Sequence, residues 1–138
     1  MKRTILILAL GLAVGIVVGT IGSQVLSAQQ DVLKRTVLLR HDLVGMEGKE
    51  GMVIMAEAAP GVSAGKHYHP GHELAYVLEG SGTFEMEGKA PIPLKAGDTL
   101  YAPPKVAHDA KNTSATAPLK ILVFFIAEKG QPLVVEAK

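Results

Sequence analysis

The stretch Gly61-Val62-Ser63-Ala64-Gly65-Lys66-His67-Tyr68-His69-Pro70-Gly71-His72-Glu73-Leu74-Ala75-Tyr76-Val77-Leu78-Glu79-Gly80 decides how this chain is read. Three histidines and a glutamate fall within the seven residues from His67 to Glu73. Along an extended chain, side chains alternate faces and advance ~3.3 Å per residue, so His67 and His69 leave one face roughly 6 to 7 Å apart at their bases. Both imidazoles can therefore converge on one ion. Pro70-Gly71 turns the chain, and Glu73 re-enters at the head of the apolar run Leu74 to Leu78, which brings a carboxylate beside two imidazoles. The same alternation sends His72 to the face opposite Glu73.

Outside this stretch, the N-terminus has its own character. Lys2 and Arg3 precede an uncharged run from Thr4 to Gln30, and the first acidic residue is Asp31. That charge pattern is expected of an export signal over residues 1–28, or of an uncleaved membrane anchor, with a single domain over residues 29–138. Either way the globular part is expected outside the cytoplasm, periplasmic or secreted, and touches a membrane only through the N-terminal segment. Taking Lys2 and Arg3 from the 14 basic residues leaves 12 against 13 acidic ones, a near-neutral balance that gives no reason to expect nucleic acid. Cysteine is absent, so no disulfide framework and no thiolate chemistry is available, and any metal must be held by nitrogen and oxygen. Ser63, Ser81 and Ser114 lie in no G-x-S-x-G elbow, and no Gly-Lys-Ser/Thr loop is present to cradle a phosphate.

From Asp31 onward, short apolar runs separated by Gly, Pro, Asn and Asp read as an all-β sandwich or barrel. Thr36 to Arg40 and Met52 to Ala56 are the first two predicted strands. Leu74 to Leu78 is expected to pass through a tight Gly80–Gly82 hairpin into the alternating strand Thr83 to Glu87. Ala90 to Leu94, with two prolines, is expected at an edge. Thr99 to Ala102 and Val106 to Lys111 follow, and Leu119 to Ile126, apolar on both faces, reads as a central strand.

Imidazoles at i and i+2 with a nearby carboxylate suit iron, manganese, nickel, copper, cobalt or zinc. His108, folded back across the sheet after Pro103-Pro104, is the candidate third nitrogen. A second set of spaced residues, Gly97, Pro103, His108 and Asn112, marks this segment.

At these residues the chain resembles the cupins, in particular small exported single-domain bacterial cupins of the type-2 kind. The first cupin motif, G-x5-H-x-H-x3-E-x6-G, is matched at Gly61, His67, His69, Glu73 and Gly80, within residues 61–80. The second, G-x5-P-x-G-x2-H-x3-N, is matched at Gly97, Pro103, His108 and Asn112, within residues 97–112, with Lys105 where the family has glycine. The resemblance implies a double-stranded β-helix, a jelly-roll barrel, holding one divalent transition metal through His67, His69, Glu73 and His108 and leaving one or two coordination positions open. It implies either a metal-dependent small-molecule enzyme, dioxygenase-like or isomerase-like, or a module that captures a metal or small ligand without turnover. It also implies a homodimer, whose contact Thr36 to Arg40 or Leu133 to Val135 could supply.

Other residues carry plainer expectations. His41 reads as solvated, Asn112 as a turn or hydrogen-bonding residue, and Glu57, Glu85 and Glu87 as a solvated face. Tyr68 and Tyr76 read as wall or packing residues. Phe84, Met86, Ala75 and Val77 are expected to give the cavity a largely apolar wall, with Lys66 and Lys105 near its mouth and no basic cluster inside.

Overall fold

The computed structural model describes residues 33–138; the expected signal segment lies outside them. Ten strands follow in order: β1 (Leu33–Asp42), β2 (Lys49–Ala58), β3 (His67–Tyr68), β4 (His72–Glu79), β5 (Ser81–Met86), β6 (Ile92–Lys95), β7 (Thr99–Ala102), β8 (His108–Asn112), β9 (Leu119–Glu128) and β10 (Val135–Glu136). They form two five-stranded antiparallel sheets, one in the order β1-β2-β9-β4-β7 and the other β10-β3-β8-β5-β6. The fold is all-β, a double-stranded β-helix. Among the described residues no helix is long and apolar enough to cross a membrane.

Period-two alternation builds the core between the sheets. In β4, Ala75 and Val77 point inward while Leu74, Tyr76 and Leu78 stay exposed; in β5, Phe84 and Met86 are buried and Glu85 is exposed. Strand β9 lies at the centre of its sheet, as its apolar run suggests, and buries Leu119, Ile121, Val123 and Phe125, but Phe124 looks outward. Ile54, Val77 and Leu119 are almost fully buried, and each such side chain contributes roughly 1.5–3 kcal/mol. Strand β6, with Pro93, takes the edge where a missing N–H does least harm.

Two expectations need correction. The Gly80–Gly82 segment is not a hairpin: β4 pairs with β9 and β7, whereas β5 pairs with β8 and β6, so the chain crosses from one sheet to the other at Gly80. Gly80 has φ +89°, and a Cβ there would stand 2.2 Å from the carbonyl oxygen of Pro118, so only glycine allows the crossing. The last predicted strand before Asn112 begins at His108 rather than Val106, because the turn at Pro103-Pro104 runs on to Val106, whose N–H donates to the Pro103 carbonyl. Lys105 in this turn has φ +62°, so the chain keeps the left-handed turn that the family builds with glycine, at a cost of about 1 kcal/mol.

Asn112 ties these segments together and has no exposed surface. Its amide nitrogen donates to the carbonyls of Ala58, Ala59 and Ala117 at 2.9–3.0 Å, and its oxygen accepts from the Ser114 N–H at 2.9 Å. Asn112→Ala leaves buried carbonyls unpaired and is expected to lower the unfolding free energy by about 2–3 kcal/mol in urea titration; a loss under about 0.5 kcal/mol would contradict this role.

Candidate metal centre

Three imidazoles and one carboxylate meet between the sheets. His67 lies in β3 directly opposite His108 of β8, and His69 follows at the end of β3, so all three come from one sheet. Glu73 lies near the start of β4 in the other sheet, between Ala102 of β7 and Phe125 of β9. The chain passes between the two sheets at Pro70-Gly71, where a Cβ on Gly71 would sit 2.3 Å from the Ile126 carbonyl oxygen. The crossing is therefore as tight as the packing allows.

His67, His69 and His108 are all buried, and their ligand nitrogens lie within 4.8 Å of one another. Each ring is held from behind. His67 Nδ1 donates to the Gly65 carbonyl at 2.6 Å, His108 Nδ1 to that of Val106 at 2.9 Å, and His69 Nδ1 to that of Leu133 at 2.5 Å. A carbonyl can only accept, so in each neutral ring the proton sits on Nδ1 and the Nε2 lone pair faces the shared space. Two of these braces are local in sequence. The third comes from the C-terminal segment, where β10 also pairs with β3.

Glu73 Oε2 stands 3.0 Å from His69 Nε2 and 3.1 Å from His108 Nε2. These contacts are close but misaligned, and Glu73 Oε2 and His108 Nε2 remain buried without a hydrogen bond of good geometry. Two donors bound at about 2.1 Å to one ion, at right angles, stand about 3 Å apart. The separations suit a shared ion better than they suit hydrogen bonds between the donors. Three nitrogens beside one carboxylate oxygen form a set for borderline divalent metals, and the three-histidine cluster can hold one.

The electrostatics follow the same arrangement. Burial alone would raise the Glu73 carboxyl, but its contacts with His108 and His69 override that and hold it down at about 2. Burial pulls His108 down, but the adjacent Glu73 more than reverses this and raises it. His67 is lowered, first by burial and then by His108, His69 and Arg35, despite the bond to Gly65.

The four residues expected from the sequence are thus brought together. His72 is not among them: it lies on the outer face, exposed, with Nδ1 2.9 Å from the Tyr101 hydroxyl and its ring stacked on Tyr101. His41 is exposed and Asn112 is structural. The wall is apolar, but of the four residues expected to form it only Phe84 lines the cavity, packed against His108; Met86, Ala75 and Val77 pack in the core instead, and Phe125 covers His69. Lys66 and Lys105 do not line the cavity; the cation that does is Arg35, on β1. Sequence reading passed over Arg35 because its orientation depends on the pairing of β1 with β2.

The Cupin_2 family model, described as Cupin domain, matches residues 54–125, and the chain belongs to this family. Among curated relatives, the chain is 36% identical over 72 residues to an oxalate-binding protein of Thermotoga maritima, covering 51% of this chain and 59% of the relative. It is 33% identical over 76 residues to a 3-hydroxyanthranilate 3,4-dioxygenase of Xanthomonas euvesicatoria, covering 53% and 43%. The chain therefore spans about half the length of the curated relatives it matches. Among solved structures it resembles an uncharacterized Klebsiella pneumoniae protein with a double-stranded β-helix domain, at 26% identity and a TM-score of 0.61, covering 78% of this chain and 87% of that one.

Two expectations follow from this geometry. Glu73 ionises at about 2 in the folded, metal-free protein against an ordinary 4.5, so its stabilisation is complete above about pH 4.5 and drains as pH falls toward about 2. Glu73→Gln should flatten the fall in melting temperature of the metal-free protein across that window; an unchanged slope would contradict it. His108→Ala should reduce metal retention well beyond the ~10–100-fold of an outer change, and His72→Ala by no more than that, measured as metal content of the purified variants. The reverse ranking would place His72 at the metal.

Proposed function

We propose that this protein is a metal-dependent cupin enzyme that binds a small organic molecule through oxygen donors at a divalent transition ion held by His67, His69, Glu73 and His108, with dioxygenase-like turnover. The observation that carries this reading is the convergence of three braced imidazoles and one misaligned carboxylate in a cavity whose remaining wall is mostly apolar. Bound there, the ion supplies Lewis acidity and open positions for an oxygen donor.

The chain's own residues set the conditions for that chemistry. The carbonyls of Gly65, Val106 and Leu133 fix the ring orientations, so the donor set is assembled before any ligand arrives. Phe84, Phe125, Ile54 and Val123 keep the wall dry. About 60 Å³ is open to the centres of water-sized molecules, which favours a compact ligand over an oligomer. Oxalate and 3-hydroxyanthranilate, which the two curated relatives are named for, are compact organic molecules with oxygens able to reach a metal.

A second reading, capture of such a ligand without turnover, draws on one observation. Among the described residues, the cavity holds no general acid or base besides the four donors themselves. We also propose an extracytoplasmic location, on the charge pattern of residues 1–28, and a homodimer. Support for the dimer comes from the apolar side chains left exposed on the outer sheet face, Leu74, Tyr76, Tyr101 and Phe124, and on β1, Val37 to Leu39.

Metal analysis of protein from its native host, followed by oxygen-uptake screening with catechols and β-diketones, tests the enzymatic reading. Uptake that scales with metal content and disappears in His108→Ala is expected. Metal-loaded protein that binds such ligands but consumes no oxygen with any of them would leave the capture reading in its place.

A further inference from the structure

Arg35 has no part in holding the donor set, yet it faces the same cavity. In the β1–β2 register, Leu33 lies opposite Ala58 and Arg35 opposite Ala56, and all four residues line the cavity with His67 and Glu73. Arg35 keeps exposed surface, which places it at the rim rather than deep among the imidazoles. Among the described residues, Lys34 pairs with Glu57 and Arg40 with Glu50, but Arg35 makes no ion pair and no hydrogen bond. Among the described residues, a fork of five donors at the mouth of an apolar pocket is thus left without a fixed acceptor.

Resting on the metal-centred reading above, we infer that Arg35 is the carboxylate anchor of the site, and that the ligand is a small organic acid with metal-binding oxygens at one end and a carboxylate at the other. The charge balance supports it. As ligands, three neutral imidazoles and one carboxylate neutralise only half of a divalent ion, and Arg35 adds a further positive charge beside an apolar wall. Nothing else that lines the cavity among the described residues is anionic. A neutral ligand would leave that charge unmatched, whereas an anionic one balances it. Arg35 also lies within electrostatic reach of the donors, since it responds to the charge of Glu73 and His67 responds to its own. Guanidinium geometry favours the two-oxygen face of a carboxylate over a lone hydroxyl.

A matched ligand pair tests this. Catechol and 3,4-dihydroxybenzoate offer the same adjacent hydroxyls to a metal, and only the second carries a carboxylate across the ring from them. Calorimetric titration would use zinc- or manganese-loaded wild type, Arg35→Gln and Arg35→Lys, with metal content measured before and after and melting temperature as the check on folding. Wild type is expected to prefer 3,4-dihydroxybenzoate. Arg35→Gln should weaken that ligand by about 10- to 100-fold, as expected for a lost hydrogen bond to a charged group, while catechol affinity and metal content change less than about 2-fold. Arg35→Lys should recover part of the loss, since it restores charge without the fork. Equal weakening of both ligands, no weakening of either, or failure of metal-loaded wild type to bind the carboxylate ligand would overturn the anchor role alone. A wild-type protein that retains neither metal would overturn it together with the metal-centred reading.

Discussion

A carboxylate from one sheet is held against imidazoles from the other, and much of the architecture can be understood as what that contact requires. Glu73 is nearly buried, with its side chain 12% exposed, and moving an ionised carboxylate out of water is costly unless partners surround it. His69 and His108 supply them at 3.0 and 3.1 Å, and the balance tips far enough to hold the acid well below its ordinary range. Buried ionic groups are weak sources of stability compared with well-packed apolar side chains. A cluster of this kind in a barrel core is better explained by what it binds.

The frame around the contact is made of backbone. Pro70-Gly71 and Gly80 are both sheet-to-sheet crossings without room for a side chain, and they bracket β4, the strand that carries Glu73. The histidine rings lean on carbonyls, two of them only two residues upstream of the ring they hold and the third on the C-terminal segment. Through Leu133 and β10, the end of the chain takes part in positioning His69 and pairing with His67. Asn112 does comparable work at the other end of β8, joining it to the end of β2 and the loop before β9.

How much of this could be read from the sequence follows from how local each signal is. The spacing of His67, His69 and Glu73 is a short-range pattern, and alternation alone sends His72 outward to Tyr101. The class of fold was legible in the same way, from short apolar runs and from the two cupin motifs. The Gly80–Gly82 hairpin misled because a glycine-rich link between two strands looks alike whether they pair or part, and only the packing against Pro118 separates the cases. Arg35 was illegible for a related reason: its inward face depends on a partner strand and on the bulge between Val37 and Leu39, both features of register. Lys105 shows that a departure from a glycine position need not change the turn, only its strain.

The central claim is that the four donors share one ion between the sheets. Anomalous diffraction from a crystal of the metal-loaded protein tests it most directly, because it locates the ion without reference to activity. The account predicts a single strong peak in the cavity, within bonding distance of the Nε2 atoms of His67, His69 and His108 and of a Glu73 carboxylate oxygen. A peak bound instead at His72 or elsewhere on the surface, or a cavity without one in a fully loaded crystal, would contradict it.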